Sequence, residues 1–209
     1  MQLYLSSYRI GNMGTILAEM VGSRSIALIP NALDATVEDA RQAVIDRTVC
    51  DLQAIGLDAF IVDLRDYFHP GAMLSERLAG FRAMFVTGGN VFVLRRAMAQ
   101  SGLDDILLSN RQDAGFLYAG YSAGSCVCSP RLDALALVDD PYVAPIGYDP
   151  KPIWEGLALI PFVFVPHFRS DHPESDQVET LVSYCKDHNV LYRAYRDGEV
   201  LVGTAGCLA

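Results

Sequence analysis

The amino-acid sequence predicts a three-layer α/β/α domain built on a mostly parallel sheet. Apolar runs of strand length alternate along the chain with amphipathic segments of helix length. The strand-length runs are apolar at consecutive positions, the pattern of strands covered on both faces. The chain has 209 residues, 51% of them hydrophobic, enough to bury about 70% of the surface its unfolded form would expose. A single domain spanning 1–209 is the expected organisation, because no repeat, low-complexity tract or linker composition divides the chain.

The strand candidates run in order from Leu3–Leu5 through Ser25–Pro30, Ala59–Leu64, Arg82–Val86 and Gly115–Ala119 to Leu157–Val165. Between the second and third, Thr36-Val-Glu-Asp39 has the form of a capping box. It opens a long helix in which Ala40, Val44, Ile45, Val49, Leu52 and Ile55 recur at helical spacing, with Gly56 as the stop. Met73–Leu78, Val91–Ala99, Leu103–Arg111 and Glu174–Asp187 are shorter helices. Strand and helix in alternation imply parallel βαβ units with right-handed crossovers. Ser129–Glu155 interrupts the rhythm: it holds five of the ten prolines and is expected to be an irregular excursion or a hairpin.

Charge and composition exclude several classes of function. Sixteen basic against 25 acidic side chains leave a formal charge of -9, which is unsuited to displacing counterions from a phosphate backbone, so no nucleic-acid partner is expected. The start, Met1-Gln-Leu-Tyr-Leu-Ser-Ser7, lacks the basic and apolar regions of a signal peptide, and no apolar run approaches about 18 residues. The expectations are a soluble cytoplasmic protein without a membrane partner, its oligomeric state left between monomer and homodimer. Five cysteines in a chain of this length and hydrophobicity read as reduced, mostly buried thiols.

In an open parallel sheet, chemistry gathers at the carboxyl ends of the strands. Three such turns stand out. Gly120-Tyr-Ser-Ala-Gly124 matches the G-x-S-x-G elbow in a strand-to-helix context, with Ser122 on the sharp turn and the Ala123 amide placed to stabilise an oxyanion. Its plain alternative is a glycine-lined turn with a capping serine. Thr87-Gly-Gly-Asn90 follows another strand; Gly88 and Gly89 let the backbone approach a ligand, Gly89 can supply a second oxyanion donor, and Asn90 can cap the next helix while offering an amide to substrate. Pro166-His-Phe168 presents His167 directly after a buried strand, where an imidazole suits general-base work. A serine hydroxyl needs such a base to become a nucleophile.

Together these residues resemble the peptidase E family (peptidase family S51), which includes aspartyl dipeptidases and, more distantly, cyanophycinases. Gly88-Gly-Asn90, the 120–124 elbow and Pro166-His-Phe168 occur in the family's order and with similar spacing, and the first strand, Leu157–Phe168 and a terminal hairpin from Asp197-Gly198 to Gly203 also fit. The resemblance implies a fold like that of class I glutamine amidotransferases and a serine exopeptidase acting on dipeptides or short peptides through an acyl-enzyme, with neither metal nor cofactor. It assigns Ser122 as nucleophile, His167 as base, and the Gly89 and Ala123 amides as oxyanion hole. The base needs an acid to fix its tautomer. Asp140 is favoured, since its proline-rich loop can fold over the site; Asp139 and Asp197 are the alternatives, and Asp197 also reads as a plain turn residue before Gly198. Tyr121 is placed to shape the substrate pocket.

The segment after His167, Arg169-Ser-Asp-His-Pro-Glu-Ser-Asp176, departs from the aspartyl dipeptidases, so their arginine for an acidic P1 side chain has no counterpart that can be transferred. Arg169 is the candidate for that role, with a solvated arginine as the favoured reading. Cys126 and Cys128 lack a second pair for zinc, and His167 with Asp171 and His172 lacks an H-E-x-x-H pattern. His69 and His188 read as a loop and a helix-end histidine. The competing functions are a non-catalytic binding module that kept the pocket and an esterase of the α/β-hydrolase type, whose histidine normally lies nearer the C-terminus than His167 does.

Overall fold

The computed structural model describes residues 1–69 and 71–207. Six strands form the central sheet: β1 (Gln2–Ser6), β2 (Ser25–Ile29), β3 (Asp58–Ile61), β4 (Ala83–Val86), β5 (Leu117–Tyr121) and β8 (Val200–Thr204), in the order β3-β2-β4-β5-β1-β8. Every neighbouring pair is parallel except β1 with β8. β6 (Val163–Val165) and β7 (Tyr192–Ala194) form a separate parallel pair.

The consecutive apolar residues of the strands sort by alternation onto the two faces. Tyr4, Ile26, Leu28, Ala83, Phe85, Leu117 and Ala119 pack on one side with Leu17 and Val21 of α1 (Gly14–Val21) and Ile45 and Leu52 of α2 (Glu38–Ala54). Leu3, Leu5, Ala27, Ile29, Met84, Val86 and Tyr118 face the other side. There they meet α3 (Leu74–Leu78), α4 (Val91–Ser101), α5 (Leu103–Ser109), α6 (Ala123–Cys126) and α7 (Ser175–Asp187). Each large side chain so buried stabilises the fold by about 1.5–3 kcal/mol. The result is the three-layer arrangement with a mostly parallel sheet that the sequence predicts.

The structure differs from the sequence reading in four places. α1 went unforeseen: it has only eight residues, and two of them, Leu17 and Val21, are buried. The Thr36 capping box does not form; Val37 occupies the N-cap with no side-chain hydrogen bond, and the acidic first turn of Glu38 and Asp39 faces the helix dipole instead. The long apolar run 157–165 yields only the three-residue β6, because Leu157, Leu159 and Ile160 bond backbone-to-backbone with the 127–128 turn rather than with a strand. The terminal segments are not a hairpin: β7 pairs with β6 and β8 with β1. The 129–155 excursion is irregular, holding a 3-10 turn at Asp133–Leu137 and a bridge between Arg131 and Glu155. All five cysteines are unpaired, with Cys126, Cys128 and Cys185 buried. Among the described residues no helix is long and apolar enough to cross a membrane.

Candidate active site

Ser122 sits directly after β5 and before α6 with φ 48° and ψ -118°, a conformation that L-residues rarely adopt and that the surroundings must impose. The flanking glycine at 124 permits it: a Cβ there would lie 2.4 Å from the Val86 carbonyl oxygen. Backbone bonds then lock the turn. The Ser122 N–H donates to the Ser6 carbonyl at 3.2 Å, and the Ser125 hydroxyl, fully buried, donates to the Ser6 and Gly120 carbonyls. The Ser122 hydroxyl has no hydrogen-bond partner among the described residues and lines a cleft of about 190 Å³ with His167, His172, Tyr8, Tyr121 and Glu174.

On the opposite lip, the 87–90 turn leaves β4 with Gly89 at φ 136°. A Cβ there would stand 2.3 Å from the Ala32 carbonyl oxygen, so only glycine fits. Asn90 caps α4 by accepting from the Phe92 and Val93 amides, and its own N–H donates to Ala32. Ala32 is fixed in turn by a buried polar network: Asn31 bonds Asp34 and Asp63, and Arg41 bridges the same two carboxylates. The Gly89 and Ala123 amides have no backbone acceptor among the described residues, and both residues border Ser122.

His167 is 1% exposed and, like Ser122, holds a positive φ. Its N–H donates to the Ser7 hydroxyl at 2.8 Å, and its Nδ1 lies 2.7 Å from Asp197 Oδ1. Ser7 also donates to Asp197 Oδ1 at 3.0 Å, and the Asp197 amide donates to the Ser170 hydroxyl. Burial pushes the imidazole below its ordinary value near 6.5, Asp197 pulls it back up, and His172 lowers it further. The net lowering favours the neutral ring, and with Nδ1 facing a carboxylate the tautomer protonated there leaves Nε2 as the acceptor.

The structure thus brings Ser122, His167, Gly88, Gly89, Ala123 and Tyr121 to one place, but it does not bring Asp140 to the histidine. The exposed Asp140 carboxylate accepts from the Tyr142 amide in its own loop, and its carbonyl accepts from Asn90. Asp139 accepts from the Val91 amide at 2.7 Å and is pushed up to about 7 by burial. Asp197 reaches the imidazole because β7 runs parallel beside β6: Val165 pairs with Ala194 and the Phe168 amide donates to Tyr195, so the two strand ends leave side by side. Reading those segments as a hairpin hid that juxtaposition.

Sequence reasoning also missed Ser7, Tyr8, Arg47 and Glu174, and weighed His172 only as a metal ligand. Ser7 had a signal, since it follows β1 at a carboxyl end; Arg47, an exposed residue of α2, had none. His172 stacks on His167 with ring centroids 3.6 Å apart and 4° between planes, and Tyr8 meets both rings edge-on. His167, His172 and Glu174 offer ligand atoms within 4.8 Å of one another. A cation in the plane of one stacked ring lies out of the plane of the other, so the observed rotamers do not converge on a metal. Of the remaining candidates, Cys126 and Cys128 are buried behind the elbow with thiols raised by burial, and Arg169 is exposed and paired with Glu179. His69 is exposed, with Pro70 beside it outside the described residues, and His188 ends α7.

The model of peptidase family S51 matches residues 8–205. An uncharacterized peptidase of Pasteurella multocida is 30% identical over 148 residues, covering 71% of this chain and 67% of that protein. Peptidase E of Streptomyces coelicolor is 32% identical over 145 residues, covering 67% of this chain and 56% of that one. The fold is that of a Listeria monocytogenes protein assigned to peptidase E: its 1.5 Å crystal structure superposes with a TM-score of 0.72 at 23% identity, over 98% of each chain. The chain thus spans about two thirds or less of the length of these curated relatives.

Proposed function

The chain belongs to peptidase family S51, and from that premise we propose that it is a serine exopeptidase hydrolysing dipeptides or short peptides through an acyl-enzyme. The observation that carries the reading is the His167 Nδ1 to Asp197 contact of 2.7 Å at the edge of a cleft shared with a strained Ser122 whose hydroxyl has no hydrogen-bond partner among the described residues. Asp197, with Ser7 holding it, is the acid of the triad, and Asp140 is not. Asp197 fixes the tautomer that leaves Nε2 free and stabilises the imidazolium that forms.

In the first step the Ser122 oxygen bonds to the scissile carbonyl carbon while its proton passes to His167 Nε2. The carbonyl oxygen, now negative, takes hydrogen bonds from the Gly89 and Ala123 amides. Collapse breaks the C–N bond, and His167 gives the proton to the leaving amine. Water then loses a proton to Nε2 as its oxygen bonds the acyl carbon; the ester to Ser122 breaks, and the serine regains its proton. No step calls on a metal or cofactor.

Ser122→Ala and wild type, tested against a panel of Xaa-p-nitroanilides and dipeptides, decide the matter. Wild type is expected to cleave members of the panel, with the variant lowered by at least about 10³-fold in kcat/KM. Equal activity of the two proteins, or none in wild type, rejects the reading.

A further inference from the structure

Two cavities meet at Ser122. One is the open cleft of about 190 Å³ already described. The other is a narrower and more enclosed pocket of about 20 Å³ between Ser122 and the apolar side chains of Leu135, Val138, Val178 and Leu181. Glu174 lines both. It stands at the N-cap position of α7, its side chain 39% exposed, and its carboxylate accepts no hydrogen bond among the described residues. The closest cationic candidate is His172 Nδ1 at 3.9 Å, too long for a hydrogen bond.

In a peptide cleaved after its first residue, the free α-ammonium group hangs on the carbon bonded to the scissile carbonyl. Whatever reads that charge must therefore border the nucleophile's cavity. Glu174 does so, its carboxylate accepting no hydrogen bond among the described residues and only His172 within 4 Å, with open solvent on one side and an apolar wall on the other, which is where an ammonium-carboxylate pair forms with a strong charge-assisted hydrogen bond. The same carbon carries the first side chain. The enclosed pocket offers room for about one water or a methyl group. Among the described residues no lysine, arginine or histidine lines it, and its ionisable walls are Asp139, Glu174 and the buried Cys126 thiol. An aspartate side chain entering there would be a third carboxyl in one small space, with no counter-ion. Arg47, exposed and without an ion pair among the described residues, lines the open cleft only.

Resting on the exopeptidase reading above, we propose that Glu174 anchors the free α-ammonium group of the substrate and that the enclosed pocket receives a small uncharged side chain. The substrate class is then an unblocked peptide beginning with glycine or alanine, and not one beginning with aspartate. Glu174 is a binding and specificity residue, outside the proton transfers.

Binding and turnover are measured separately. In calorimetry, the Ser122→Ala protein is expected to bind Ala-Ala at least tenfold more tightly than N-acetyl-Ala-Ala or Asp-Ala, and adding Glu174→Gln should erase the difference between the free and acetylated peptides. In turnover by the otherwise native enzyme, Glu174→Gln is expected to raise KM for Ala-p-nitroanilide tenfold or more with kcat little changed, a split that loss of a structural helix-end charge would not produce. Equal binding of free and acetylated peptides, indifference to Glu174→Gln, or no binding of Ala-Ala overturns the anchor. Preference for Asp-Ala overturns the pocket assignment and directs attention to Arg47. If the binding pattern holds while wild type hydrolyses nothing, the exopeptidase reading fails and the anchor stands; hydrolysis of blocked and free substrates at equal rates does the reverse.

Discussion

Asp197 and Asp140 separate cleanly at the scale of single residues, because one carboxylate touches the imidazole and the other touches its own loop. Asp197→Asn should lower kcat by about 10²–10⁴-fold, since an asparagine facing Nδ1 can favour the wrong tautomer. Asp140→Asn should change it less than about threefold, because its carbonyl bond to Asn90 survives. The pH profile gives a second reading. His167 is pushed below 6.5 by burial, so activity should rise through an acidic limb in kcat/KM with a midpoint under that value. Asp197 is the group that raises the histidine, and its removal should move the residual limb further down. A limb moved upward in Asp197→Asn would mean that another carboxylate holds the ring. Legibility at this scale followed local geometry. Ser122 and His167 announce themselves by a short motif and a strand end, whereas Asp197 acts only through a partner 30 residues away in sequence.

Helix caps distinguish the two helix starts that the sequence treats alike. Asn90 accepts from two amides of α4 and ties the 87–90 turn to the 139–140 corner, so Asn90→Ala should cost about 1 kcal/mol and lower Tm by a few degrees. Thr36 lies outside α2 and makes no cap bond, so Thr36→Ala should leave Tm within a degree. A loss near 1 kcal/mol at Thr36 would show that the capping box forms in solution. The inner strands β1, β2, β4 and β5 were legible because burial on both faces demands consecutive apolar residues. β6 and β7 were not. Three-residue strands carry no period, and the pairing of β6 with β7 rather than β7 with β8 is decided by what the 157–168 segment packs against.

At the scale of the whole molecule, buried carboxyls set how stability follows pH. Asp139 is raised to about 7 from an ordinary value near 3.8, so the folded protein binds a proton that the unfolded chain has released, and its contribution is lost as pH rises from about 4 through 7. Asp63 is the opposite case: Arg65 and Asn31 outweigh burial and hold it near 2, so its contribution is present at neutral pH and is lost only as pH falls from about 4 toward 2. Asp139→Asn can keep the Val91 bond through its amide oxygen without the titration. Its Tm should be higher than wild type at pH 8 and close to it at pH 5. An equal offset at both values would assign the effect to packing. The acidity of the chain as a whole plays no part in the proposed site, whose charges are the local ones of Glu174, Arg47 and the Asp197–His167 pair.

The sequence by itself determined the layered α/β architecture, the elbow at Ser122, the glycine turn and the strand-end histidine, because each depends on residues adjacent in the chain: apolar runs for strands, glycines where backbone must approach backbone, a proline-fixed histidine after a strand. Only the tertiary structure decided which carboxylate touches His167, that Ser7 and His172 contact it, and that Glu174 stands between two cavities. Those relations join β1, β6, β7 and α7 across long separations, and side-chain chemistry at a distance is fixed by strand pairing, which one sequence does not spell out.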